Sequence, residues 1–121
     1  FLILVPLPKK VQSRMKIEED FLPIRKGLLE LAVLKIISGQ KVYAADILEA
    51  LSHTEFTTQE GTLYPLLSRL RRDGLVDYEW NESRTGPPRK YYALTDKGTE
   101  HVTMLLQYWR LLERTLDHLG K

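Results

Sequence analysis

The sequence predicts a mainly α fold with a small β-hairpin and one long helix at the C-terminal end. Three observations carry that expectation. Apolar residues recur at helical spacing in three short segments between residues 23 and 73. A two-residue alternation then runs over residues 76–94, broken by a glycine and two prolines. Beyond residue 95 a heptad-like apolar pattern extends almost to the end of the chain.

Each element has local reasons. The first helix is expected from Pro23, suited to a first turn, to Ser38, where Gly39 supplies a stop. Leu28, Leu29, Leu31, Ala32, Val33, Leu34, Ile36 and Ile37 cover almost every side of it, so it must be buried in the core or against a second subunit. A second helix covers Ala44 to Ser52, with Ile47, Leu48 and Leu51 inward. A third is expected from Thr58 to Asp73, ending at Gly74, with Thr57 and Glu60 at capping-box spacing. Its core stripe is Leu63, Leu66, Leu67 and Leu70. Val76, Tyr78 and Trp80 alternate with Asp77, Glu79 and Asn81 as a half-buried strand, and a returning strand passes through Tyr92 and Leu94. Between them, Glu82 to Arg89 holds Gly86, Pro87 and Pro88 and is expected to leave the ladder. Three helices followed by a hairpin with a projecting tip is the order of a winged helix-turn-helix. The last helix starts at the N-cap Thr95 and can reach Leu119. The chain therefore divides into an extension at 1–14, a winged helix-turn-helix at 15–94 and a C-terminal helix at 95–121. Residues 1–14 are either sequence upstream of a natural start at Met15 or a short arm whose Phe1 to Val5 packs on a partner chain.

Bulk properties narrow the function. A length of 121 residues with 43% apolar and 28% charged residues fits one globular domain. A net charge of +2 excludes a densely basic binder, so any nucleic-acid surface must come from local clustering. The absence of cysteine removes disulfides and thiolate metal sites and suits a cytoplasmic protein. The apolar run Phe1 to Val5 is far short of the ~20 residues that span a bilayer. His53, His101 and His118 are scattered without a carboxylate at metal-ligand spacing and are expected at the surface. No phosphate loop, nucleophile elbow or zinc-protease signature occurs, so neither an enzyme nor a cofactor is expected.

The third helix carries the strongest functional signal. Opposite its leucine stripe, helical geometry turns Thr58, Gly61, Pro65, Ser68 and Arg72 outward, flanked by Thr62, Tyr64 and Arg69. Small residues let the backbone approach another surface, and hydroxyls and arginines suit phosphate oxygens and base edges. Glycine and proline inside a helix cost about 1 and 3 kcal/mol relative to alanine, so a compensating role is expected. The bland alternative is a kinked, solvated helix. The hairpin tip adds Arg84, Arg89 and Lys90 with no acid from Ser83 to Tyr92, and Gly86-Pro87-Pro88 would stiffen it. Such a tip would grip flanking backbone or enter a minor groove of double-stranded DNA.

These residues resemble a known family. Gly61-Thr62-Leu63-Tyr64-Pro65-Leu66-Leu67, then Arg69-Leu70 and Asp73-Gly74-Leu75-Val76, is similar to the third helix of PadR-type regulators. Gly86-Pro87-Pro88-Arg89-Lys90-Tyr91-Tyr92-Ala93-Leu94-Thr95, with Lys97-Gly98, resembles that family's wing and the start of its last helix. The resemblance covers residues 21–119 and does not reach 1–14. It implies a bacterial repressor of the short subgroup with one C-terminal dimerisation helix. It also implies that Tyr64 approaches the DNA backbone, that Arg89-Lys90 is the basic wing, and that a small aromatic or apolar effector regulates binding.

Independently of the resemblance, Val102, Trp109 and Leu116 sit seven apart, as do Leu105, Leu112 and Leu119. This a/d pattern predicts homodimerisation, and a dimer would read a two-fold symmetric operator in successive major grooves. Trp109 is either an interface anchor or, with Glu113 one turn onward, part of an effector site. The alternative to a repressor is a winged-helix protein-interaction or drug-sequestering module that does not read DNA.

Overall fold

A computed structural model describes residues 19–120, so the extension at 1–14 lies outside the described residues. The elements are α1 (Leu22–Gly39), β1 (Val42–Tyr43), α2 (Ala44–Ser52), α3 (Glu60–Arg72), β2 (Val76–Ser83), β3 (Gly86–Leu94) and α4 (Asp96–His118). The strands form an antiparallel sheet in the order β1-β3-β2. This is the winged helix-turn-helix arrangement, with α2 and α3 as the helical pair and β2–β3 as the wing.

One core serves all of it. Helix α1 buries Leu29, Leu31, Val33, Leu34 and Ile37 within its own domain, with Leu28, Ala32 and Ile36 packed on the margin. Its all-round apolar surface is satisfied by α2, β3 and α4 on different sides. Ile47 and Leu51 of α2 and Leu63, Leu67 and Leu70 of α3 are fully inside, while Leu48 and Leu66 lie half-buried beside them. Each fully buried leucine contributes about 1.5–3 kcal/mol relative to exposure.

The structure corrects four local expectations. Helix α3 begins at Glu60 behind Gln59, and neither Thr57 nor Thr58 caps it. The backbone N–H of Thr57 instead donates to Thr54 O, which closes a turn after α2 and draws both threonines out of the helix. The wing ladder does not stop at the prolines, since it runs from Val76↔Leu94 to Asn81↔Arg89 and resumes at Ser83↔Gly86. Between those pairs one residue of β2, Glu82, faces two of β3, so Pro87 and Pro88 fall in a bulge where their missing N–H groups cost no ladder bond. Strand β1 was not foreseen. It has only Val42 and Tyr43, paired with Tyr92 and Tyr91, too short to show any periodicity. Burial along β2 also decays toward the tip, from Val76 in the core through half-buried Tyr78 to Trp80, which is 60% exposed.

The joints between elements are tightly specified. Gly74 takes φ 78°, the N–H of Leu75 donates to Leu70 O, and the N–H of Gly74 donates to Arg71 O. That pair of bonds is a Schellman stop, closed by contact between Leu75 and Leu70 in the core. Thr95 then joins two helix ends: its hydroxyl donates to Gly74 O at 2.6 Å and accepts from Gly98 N–H at 2.9 Å. Gly98 is buried against the Leu75 backbone, where an added Cβ would lie 1.9 Å from the carbonyl oxygen.

Candidate nucleic-acid interface

Helix α3 presents the small-residue strip as expected. Gly61, Thr62, Pro65, Ser68 and Arg72 are exposed, and Tyr64 is 46% exposed. Proline at 65 has no N–H to donate to Gly61 O, so the helix lacks one internal bond in its first turns. Thr58 precedes the helix and is half-buried, so it lies at the edge of the strip rather than on it.

Arg69 departs from the strip. Its guanidinium turns toward α1, where Nη2 donates to Glu30 Oε1 at 2.9 Å, and Nη1 lies 3.6 Å from Asp73 Oδ2. Glu30 also meets His101 of α4, with 3.2 Å between Oε2 and Nε2. His101 is therefore half-buried and paired rather than a free surface residue. His53 also has a carboxylate neighbour, Glu49 at 3.5 Å one turn earlier. Among the described residues, no group of three or more His, Cys, Asp or Glu could hold a metal ion.

The wing holds its cations on aromatic rings. The Arg89 guanidinium lies 3.9 Å from the Tyr43 ring centroid, and Tyr43 packs on Tyr91 at 4.8 Å. The Tyr43 hydroxyl accepts from Asn81 Nδ2 at 2.5 Å, tying β1 to the far strand of the wing. Lys90, on the opposite face, sits 4.5 Å from the Tyr78 ring and 5.5 Å from Trp80. Such contacts fix long side chains that would otherwise sweep freely. Arg84 is exposed in the two-residue turn, with the hydroxyls of Ser83 and Thr85 in contact beside it.

Sequence reasoning missed two contributors. Arg71 donates through Nε to Asp77 Oδ1 at 3.1 Å and lies 4.6 Å from the Tyr78 ring, so it clamps the end of α3 to the base of the wing. The Tyr78 backbone N–H and the Arg71 guanidinium together hold the Asp77 carboxyl below the usual carboxylate range. Tyr43 was missed because its partners are 38 and 46 residues away in the chain. Between the wing and the start of α2, with Tyr64 of α3 at its side, lies a groove of about 270 Å³ lined by Tyr43, Ala44, Ala45, Tyr64, Trp80, Pro88, Arg89, Lys90 and Tyr92. Small residues and a tyrosine on one wall face fixed cations on the other. That arrangement suits a polyanion with flat bases, by phosphate pairing and stacking.

The C-terminal helix has a different character. Val102 is buried in the domain's own core, Leu105 packs against that core, and Trp109 is half-buried. From Leu111 onward every residue of α4 is exposed, including Leu112, Glu113 and Leu116, and so is Leu119 just past its end. Of the heptad residues, Val102 is therefore occupied within the monomer, and the free apolar set is extended instead by Met104, Tyr108 and Leu111. Among the described residues no helix is long and apolar enough to cross a membrane.

Known proteins share this organisation. The model of the Transcriptional regulator PadR-like family matches residues 33–104, which include α3 and the whole wing. A PadR-like transcription factor structure from Bacteroides fragilis is 41% identical, covers 92% of this chain and 99% of its own, and superposes with a TM-score of 0.73. A PadR-like transcriptional regulator from Bacillus cereus is 39% identical over 78% of this chain and 92% of its own, with a TM-score of 0.68. A PadR family regulator from Eggerthella lenta, at 28% identity, covers 90% of this chain and 96% of its own with a TM-score of 0.80. With the strip on α3, the ring-held cations of the wing and the family match in agreement, this chain belongs to the PadR-like family of transcriptional regulators, DNA-binding proteins rather than enzymes.

Proposed function

We propose that this regulator is a repressor that binds a palindromic operator as a homodimer and is released by a small aromatic effector. The observation that carries the reading is the pairing of two surfaces on one rigid body. Tyr64 of the α3 strip shares a groove with Arg89 and Lys90 of the wing, Ser68 and Arg72 share a second one with Lys90, and Gly61, Thr62, Pro65 and the wing-tip Arg84 are exposed. In this reading α3 enters the major groove and the wing cations contact flanking phosphates. Leu112, Leu116 and Leu119, joined by Leu111, Tyr108 and Met104, pack on the same helix of a second copy, because water-exposed leucines at this density favour association. Leu105 and Trp109 border that contact.

Binding to a duplex from the promoter of its own gene tests the reading. Affinity is expected to depend on both half-sites and to fall steeply with salt, as several phosphate contacts require. Equal affinity for a scrambled duplex would refute sequence-specific repression. The effector is expected between the two copies of α4, touching Trp109 and Glu113. A Trp80→Phe background leaves Trp109 as the single tryptophan. Planar aromatic compounds should quench its emission and weaken operator binding in the same concentration range. Quenching without any change in DNA affinity would leave Trp109 as an interface anchor.

A further inference from the structure

We propose that Glu30 is a positioning residue for DNA recognition: one carboxylate on α1 fixes the recognition helix through Arg69 and the interface helix through His101. The proposal rests on the reading of α3 as the DNA-contacting helix. Glu30 lies mid-way along α1 with its side chain only 20% exposed, and its two oxygens are divided between two helices. Oε1 accepts from Arg69 Nη2 at 2.9 Å, and Oε2 lies 3.2 Å from His101 Nε2. Helix α3 makes its main backbone packing with α2 and β2, while α1 packs on α4. The Glu30 carboxylate is thus a direct polar tie from the DNA-facing helix to the pair formed by α1 and α4.

Geometry gives the tie its consequence. Arg69 follows Ser68 in the chain and stands one helical turn after Pro65, so it borders the exposed strip. Leu63, Leu67 and Leu70 fix the face that α3 buries, and pinning the Arg69 guanidinium to α1 narrows the remaining play in its rotation and so in the direction in which Gly61, Pro65 and Ser68 point. Asp73, the cap that closes α3, holds the same guanidinium at 3.6 Å. Displacement of α4 moves His101 and draws on the carboxylate that Arg69 shares. Occupancy of the interface helix is in this way transmitted to the DNA-reading strip.

The sign of one substitution separates this role from simple electrostatics. Glu30→Gln removes a negative charge, which by Coulomb attraction alone would tighten binding to DNA. A positioning role predicts the opposite. Anisotropy titrations of the full chain, with its own promoter duplex and a scrambled duplex, would compare wild type, Glu30→Gln, Arg69→Gln, the double variant and His101→Gln. Glu30→Gln is expected to lose about ten-fold in promoter affinity, the size of coupling between groups in contact. Affinity for the scrambled duplex and the salt slope should stay unchanged. The double variant should bind no worse than either single one, and His101→Gln should lose roughly three-fold. Promoter binding by Glu30→Gln equal to or tighter than wild type overturns the proposal. So does an Arg69→Gln variant that weakens both duplexes alike and flattens the salt slope by about one, since Arg69 would then be a phosphate contact. If Glu30→Gln unfolds, the exchanged pair Glu30→Arg with Arg69→Glu should regain promoter affinity over Glu30→Arg alone, and a folded pair that does not regain it is equally fatal. Failure of the wild type to distinguish the two duplexes sinks the DNA reading itself, whereas variants that match a discriminating wild type sink only the role of Glu30.

Discussion

The wing and the distal half of α4 are both exposed, yet they are built on opposite principles. In and beside the wing, exposed cations are held: Arg89 on Tyr43, Lys90 on Tyr78 and Trp80, and Arg71 of α3 between Asp77 and Tyr78. In α4, the residues beyond Leu111 are mostly leucines and charged groups, all exposed among the described residues, with Leu116 at 68% and Leu119, just past the helix, at 66%. A rigid charged surface is suited to a partner of fixed geometry such as a duplex. A bare apolar helix is suited to its own copy, which buries the same leucines from both sides. The contrast teaches that exposure alone does not identify a binding surface, whereas the way its side chains are anchored does.

The contrast can be broken from the α4 side first. Leu112→Lys with Leu116→Lys should leave the domain folded, because both residues lie outside the core, and should convert a dimer to a monomer in sedimentation. Promoter affinity should then fall by at least about 10³-fold, since one half-site replaces two. A monomer that still binds the promoter tightly would separate DNA recognition from dimerisation. At the joint between the regions, Gly98→Ala forces a Cβ against the Leu75 carbonyl and should cost about 1–3 kcal/mol of stability, read as a lowered melting temperature. An unchanged melting temperature would show that α4 can slide at this joint.

On the wing side, Arg89→Ala with Lys90→Ala should weaken promoter and scrambled duplexes alike and flatten the salt slope by about two. Tyr43→Leu, which keeps Arg89 but removes its ring, should reproduce part of that loss without changing the slope. A change in slope would mean that Tyr43 supplies more than a support. The smallest effect concerns Asp77. Its carboxyl is held below the ordinary range, so the native state gains stability above the unfolded pKa and loses it as pH falls through the lower folded value. Asp77→Asn should therefore lessen the decline in stability below pH ~4, measured by thermal unfolding across acid pH.

Much of this was legible in the residues. The leucine periodicity of α3, its glycine stop, the Thr95 cap and the hairpin alternation each rest on interactions within a few residues, and all four appear in the structure. So do the outward strip and the cationic wing, because helical and strand geometry fix which neighbours share a face. Apart from the start of α3, where a local turn claimed Thr57, what was misjudged depended on distant partners. Arg69 looked outward by helical phase but found Glu30, 39 residues earlier. Val102 fitted a heptad but filled the core beside α1. The prolines looked incompatible with a ladder until a bulge and a two-residue β1 left them room.

Local chemistry thus specified the order of elements, the Gly74 stop and Thr95 cap, and the composition of the outward strip on α3, because caps, stops and periodicity act over one or two turns. The three-dimensional packing alone assigned each arginine either to an open position or to an ion pair at the surface, and each heptad residue either to the core or to the free face. Those assignments turn on which side chains meet across tens of residues, and a long flexible side chain settles on whichever partner the fold brings within reach.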